Sequence, residues 1–78
     1  MDTREFTRAL AKRKGISEQT AYRNINSVMD TIRLILADGK EIEIGSFGKF
    51  TVVTELNGSK TAVFCAEKSL NRAIGGGE

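Results

Sequence analysis

The apolar residues of this 78-residue chain change their spacing at Gly39, and that change limits what the chain can become. Before it, Ala21, Ile25, Val28, Met29, Ile32, Ile35 and Leu36 recur every three or four positions, the repeat of one face of an α-helix. After it, Ile42 and Ile44 alternate with Glu41 and Glu43, the repeat of a strand. The spacing predicts a helix of about five turns from Glu18 to Ala37 or Asp38, opened by Ser17 and stopped by Gly39. So long an apolar stripe needs a broad surface to cover it.

A shorter helix is expected before it, over residues 3–14. Asp2 is its N-cap and Glu5, three places on, completes a capping box; Phe6, Ala9 and Leu10 form its apolar stripe and Gly15 closes it. After Gly39 three strands are expected, over residues 40–44, 50–56 and 59–64. Between the last two stands Asn57-Gly58, the pair that suits a two-residue type I′ turn. Such a turn sets Leu56 opposite Ser59, Glu55 opposite Lys60 and Thr54 opposite Thr61, with favourable charge and threonine pairs. A last short helix, residues 66–74, would turn Leu70, Ala73 and Ile74 inward and Lys68 and Arg72 elsewhere. The fold class is therefore α+β: two N-terminal helices, a three-stranded antiparallel sheet and a short C-terminal helix. Residues 1–74 would form one domain and the glycine-rich residues 75–78 a flexible tail.

A core of this size is marginal unless a disulfide, a metal or a second subunit supports it. One cysteine, Cys65, excludes an internal disulfide, and the lack of histidine leaves too few ligands for structural zinc. A second copy of the chain is the remaining support. It would also cover Phe47 and Phe50, two of the four phenylalanines, which flank Gly48 on a turn where bare rings are costly. No apolar run reaches the roughly 20 residues of a membrane span, and residues 1–14 are charged throughout, unlike a signal peptide. These features lead us to expect a cytoplasmic protein with no membrane partner.

The order of elements and the phenylalanine-glycine turn resemble the bacterial HU and integration host factor family of histone-like DNA-bending proteins. "LAKRKGIS" is similar to that family's first-helix end and turn. "DGKEIEIGSFGKFTV" is similar to its first two strands and "VFCAEKSLNRAI" to its passage into the last helix. The resemblance implies an intertwined homodimer whose core includes Val28, Ile32, Phe47, Phe50 and Phe64. It also implies double-stranded DNA as partner and a nucleoid-associated location. Family members carry long β-ribbon arms whose proline wedges between base pairs. This chain has no proline, and Asn57-Gly58 joins its strands directly. The family's proline-glycine before the last helix is replaced by Ala66-Glu67, and a family glycine by Ser46. The expectation is thus sequence-tolerant binding through the dimer body with little or no bending.

Transferred onto this sequence, the family's phosphate contacts fall on Thr3 and Arg4, on Ser46 and Lys49, and on Lys68 and Arg72. Hydroxyls, amides and cations of this kind hold phosphates but read no base. Glu67 opposes an anion at the last of these places. Arg4, Arg8 and Lys12 add a basic stripe along the first helix, equally readable as a solubilising face. Net charge is only +2, which leaves a second class of function open. In that alternative the arm-less dimer is a protein-interaction or assembly module, for example a phage-related structural protein or a partner of full-length relatives.

Other readings are weaker. Residues 10–25 resemble a helix-turn-helix, with Glu18, Gln19, Thr20 and Arg23 toward bases, but the second helix is long and apolar to its end. Cys65 lies near a helix start, where a thiolate gains stability, yet no base stands beside it and a small buried residue explains it. Glu41 and Glu43 share a strand face without needing an acid–base role, and Tyr22 suits half-buried packing. No enzyme activity, cofactor or metal is expected.

Overall fold

The Glu5 amide donates to the Asp2 carboxylate at 2.9 Å and the Asp2 amide donates back to Glu5 at 3.2 Å, so the first helix starts with the expected capping box. In the computed structural model, which describes residues 1–76, this helix, α1, runs Thr3–Lys14. It closes at Gly15 (φ 67°), where the Ile16 amide reaches back to the Ala11 carbonyl at 3.1 Å. Ser17 then accepts from the Thr20 amide at 3.0 Å and opens α2, Glu18–Ala37, which ends at Gly39 (φ 80°). Both helices match their expected bounds because each end has a capping residue of its own. The remaining elements are β1 (Ile42–Ile44), β2 (Gly48–Thr54), β3 (Lys60–Ala66) and α3 (Lys68–Ala73). Gly75 and Gly76 bond back to Arg72 and Asn71 at 3.0 and 2.7 Å, while the rest of the expected tail, Gly77 and Glu78, lies outside the described residues.

The chain clusters into two compact units that meet within α2, one of residues 1–31 and one from Ile32 onward. In the first, the buried positions are Thr7 and Ala11 on α1 and Ala21 and Ile25 on α2. The α1 stripe is therefore not the expected one: Phe6 and Ala9 stay exposed and Leu10 is half-buried. Thr7 is admitted because its hydroxyl donates to the Thr3 carbonyl at 2.7 Å. Phe6, Leu10, Ile25, Val28 and Met29 line an open apolar groove.

In the second unit the three strands pair antiparallel in the order β1-β2-β3. Ile42 faces Phe50, and Phe50 faces Phe64. Ile42, Ile44, Gly48, Phe50, Val52, Ala62 and Phe64 therefore share one face, and Glu43, Lys49, Thr51, Val53, Val63 and Cys65 the other. The β2–β3 register differs from the expected one by a residue: Thr54 pairs with Lys60 and Val53 with Thr61. The loop is three residues, not two. Glu55 donates to the Ser59 carbonyl at 2.7 Å and accepts from the Gly58 amide at 2.9 Å. Only Gly58 takes positive φ (90°), whereas a type I′ turn needs Asn57 there as well. Asn57 instead accepts from the Ser59 amide and hydroxyl at 3.0 and 2.7 Å, locking the loop from its side chain. The reason for the slip is aromatic. The two-residue register would place Phe50 and Phe64 on opposite faces, since one step flips every side chain. The observed one sets their rings 4.9 Å apart, with Phe47 5.3 Å from Phe64.

Gly48 makes room for this cluster of tilted rings. A Cβ there would stand 2.5 Å from Phe64 Cζ and 2.7 Å from the Cys65 carbonyl oxygen. On α3, Leu70 is half-buried as expected, but Ala73 and Ile74 are exposed. No large side chain is fully buried among the described residues. Within one chain Val28 is 53%, Phe47 48% and Phe64 39% exposed, and Ile32 and Phe50 are only half-covered.

Candidate nucleic-acid interface

The residues assigned to phosphates fall into two groups, one in each unit. In the first, Thr3, Arg4, Arg8 and Lys12 are all exposed along α1. Thr3 and Arg4 are the first two helical residues, and a helix start offers unpaired amides to an anion. Here the offer is reduced. The Glu5 amide already has the Asp2 carboxylate, and the Phe6 amide donates to the Asp2 carbonyl at 2.9 Å. Arg8 is not free either, because its Nε lies 4.0 Å from the Glu18 carboxylate. Glu18, a base-reader in the helix-turn-helix reading, is thus occupied within the unit.

The second group is built by one backbone bond. The loop 45–47 starts at Gly45 (φ 36°) and closes when the Phe47 amide donates to the Ile44 carbonyl at 2.8 Å. The Phe47 carbonyl then accepts from the Glu67 amide at 3.0 Å. Ser46 on the loop is thereby tethered close to the start of α3, where Lys68 follows Glu67. Glu67 is the N-cap residue but makes no side-chain cap bond, so its carboxylate does not satisfy the first amides of α3. Lys68 is exposed at the first helical position. Arg72 is exposed one turn on. Lys49 is half-buried on the opposite sheet face from the phenylalanines, with its Nζ 3.5 Å from the Glu41 carboxylate.

The carboxylate partners Glu18 and Glu41 were not legible as such in the sequence. The Glu41–Lys49 contact needs the β1–β2 register, which pairs Glu43 with Lys49 and leaves Glu41 one diagonal step away. Cys65 is exposed in β3 directly across from Lys49, not buried as its size suggested, and not at a helix end. Among the described residues no helix is long and apolar enough to cross a membrane.

A family model described as bacterial DNA-binding protein matches residues 1–58, well over half of the chain. The chain belongs to this family. β3 and α3 lie beyond that match, but likeness to solved structures extends over most of the chain. A mutant of HU from Thermotoga maritima superposes with a TM-score of 0.84 at 27% identity, covering 95% of this chain and 99% of that one. HU from the same organism gives 0.82 at 26% identity, covering 95% and 98%. No curated protein matches the sequence. The fold is the HU fold, with the helices followed by a three-stranded antiparallel sheet.

Proposed function

We propose that this member of the bacterial DNA-binding family works as a homodimer that holds double-stranded DNA by its phosphates. Binding is through the dimer body, is tolerant of sequence and bends the duplex little or not at all. The observation that carries this reading is the Glu67–Phe47 backbone bond at 3.0 Å, which tethers the Ser46 loop to the segment that bears Lys68. The Ser46 hydroxyl and the Lys68 ammonium are groups that suit a phosphate and recognise no base. The homodimer is supported by the part-exposed Val28, Ile32, Phe47, Phe50 and Phe64, since covering half of a phenylalanine contributes about 1 kcal/mol. Little bending is supported by the loop between β2 and β3, which closes in three residues where a wedge would need an arm. A cytoplasmic, nucleoid-associated location accompanies this function, and no catalytic role is assigned. Family membership does not favour the assembly-module alternative.

Fluorescence anisotropy of a labelled duplex of about 30 base pairs, titrated at several salt concentrations, tests the reading. The expected result is affinity falling linearly on a log–log salt plot, with a shallower slope when Arg4, Lys49 or Lys68 becomes glutamine. Energy transfer between dyes on the duplex ends should change little on binding. No binding at low salt overturns the proposal, and a large gain in energy transfer overturns its bending clause.

A further inference from the structure

The Lys49–Glu41 ion pair sets a cation assigned to DNA against a carboxylate of its own chain. The Nζ–oxygen distance is 3.5 Å, and the two side chains remain 44% and 61% exposed. Glu41 stands just before β1, two residues from Glu43, which the register pairs with Lys49, so its carboxylate meets the lysine diagonally. We infer that Glu41 sets the DNA affinity of this face: its carboxylate occupies Lys49 in the free protein and is displaced when a phosphate takes the lysine. The inference rests on the proposed DNA function and deepens it.

The physics is a competition of two anions for one ammonium. Lysine presents a compact point charge, so phosphate and carboxylate seek the same site instead of dividing a planar fork between them. An exposed pair of this kind is weak, which makes displacement cheap and the penalty on binding moderate. A homodimer carries the pair twice, so its effect on the affinity of one dimer is squared. The salt dependence is altered too. Each phosphate contact releases counterions from DNA, but a displaced Glu41 gathers cations from solution, and the two partly cancel.

The test is the same anisotropy titration on the full chain and on Glu41→Gln, Lys49→Gln, the double variant, and Glu55→Gln. The last makes the same charge change at the far end of the sheet. Circular dichroism confirms that each is folded. Glu41→Gln should tighten binding by a few-fold to about tenfold and steepen the salt slope. Lys49→Gln should do the reverse on both counts. In the Lys49→Gln background, Glu41→Gln should have no more effect than Glu55→Gln. An equal gain from Glu41→Gln and Glu55→Gln, or a Glu41→Gln gain that persists without Lys49, overturns the inference by reducing it to net charge. Wild-type binding left unchanged by Glu41→Gln overturns the inference while the proposed function stands. No binding by any variant at low salt overturns both.

Discussion

The loops 45–47 and 56–58 each span three residues, join antiparallel strands and close on one backbone bond, Phe47 to Ile44 at 2.8 Å and Gly58 to Glu55 at 2.9 Å. Each contains one glycine at positive φ and one large apolar side chain. There the likeness ends. Phe47 packs its ring on Phe64 and lends its carbonyl to the residue before α3. Leu56 is fully exposed, and its loop is held by backbone bonds at Glu55 and by the Asn57 side chain, all within the loop itself. One loop belongs to the aromatic layer and to the candidate interface. The other only reverses the chain. An apolar residue on a turn is thus no index of importance by itself; what it touches decides.

The difference breaks most sharply at Gly48, beside the first loop. Gly48→Ala would drive a methyl group into the Phe64 ring and the Cys65 carbonyl, and the carbonyl belongs to a paired strand that cannot retreat. We expect a loss of about 2–3 kcal/mol, measured by denaturant unfolding at fixed protein concentration. A wild-type midpoint would mean that the packing of Phe50 against Phe64 does not hold the sheet together.

Phe47→Ala comes next. The ring is 48% exposed in one chain, so truncation within a monomer would cost about 2 kcal/mol, less than the 3–5 of a fully buried ring. If a second chain covers the exposed half, as proposed, the loss exceeds that value and appears as weaker dimerisation. Sedimentation across a concentration series separates the two cases. A dimer of unchanged affinity would place Phe47 outside the subunit contact.

Gly58→Ala tests the second loop. No atom lies within 4 Å of a Cβ there, so the cost is backbone strain alone, about 1 kcal/mol for a left-handed residue. Gly58→Asn should cost less, because asparagine tolerates that conformation. Equal losses would point to a lost contact and not to strain.

These two loops also mark where the sequence could be read and where it could not. The first two helices were legible to within a residue because Asp2, Gly15, Ser17 and Gly39 act on their immediate neighbours, whereas α3, expected at 66–74, spans Lys68–Ala73. The strands and the Asn57-Gly58 turn were legible as elements, yet the register was not. The Glu55–Lys60 and Thr54–Thr61 pairs favoured a two-residue loop, and such pairs contribute about 0.2–1 kcal/mol each. They were outweighed by Phe50 facing Phe64 across the β2–β3 ladder, a match between residues 14 positions apart that no local rule weighs. The same holds for the site. Ser46, Lys49 and Lys68 came from the resemblance to the family's phosphate contacts, but Glu41 beside Lys49, and Glu67 bonded to Phe47, follow from pairing that only the folded sheet defines.

The smallest effect expected is the most discriminating. Leu56→Ser replaces the most exposed large apolar side chain of the described residues, at a position that touches no partner in the fold. Stability should stay within about 0.5 kcal/mol of wild type, because a surface change remote from caps, cavities and hydrogen bonds does little. The loop bonds run through Glu55, Asn57, Gly58 and Ser59, none of which the change removes. The measurement is the unfolding midpoint at two protein concentrations, set beside Phe47→Ala. A neutral Leu56→Ser with a costly Phe47→Ala upholds the contrast between the loops. A concentration-dependent loss at Leu56 would mean that a second chain covers the hairpin tip, and the two loops would then share one role at the subunit contact.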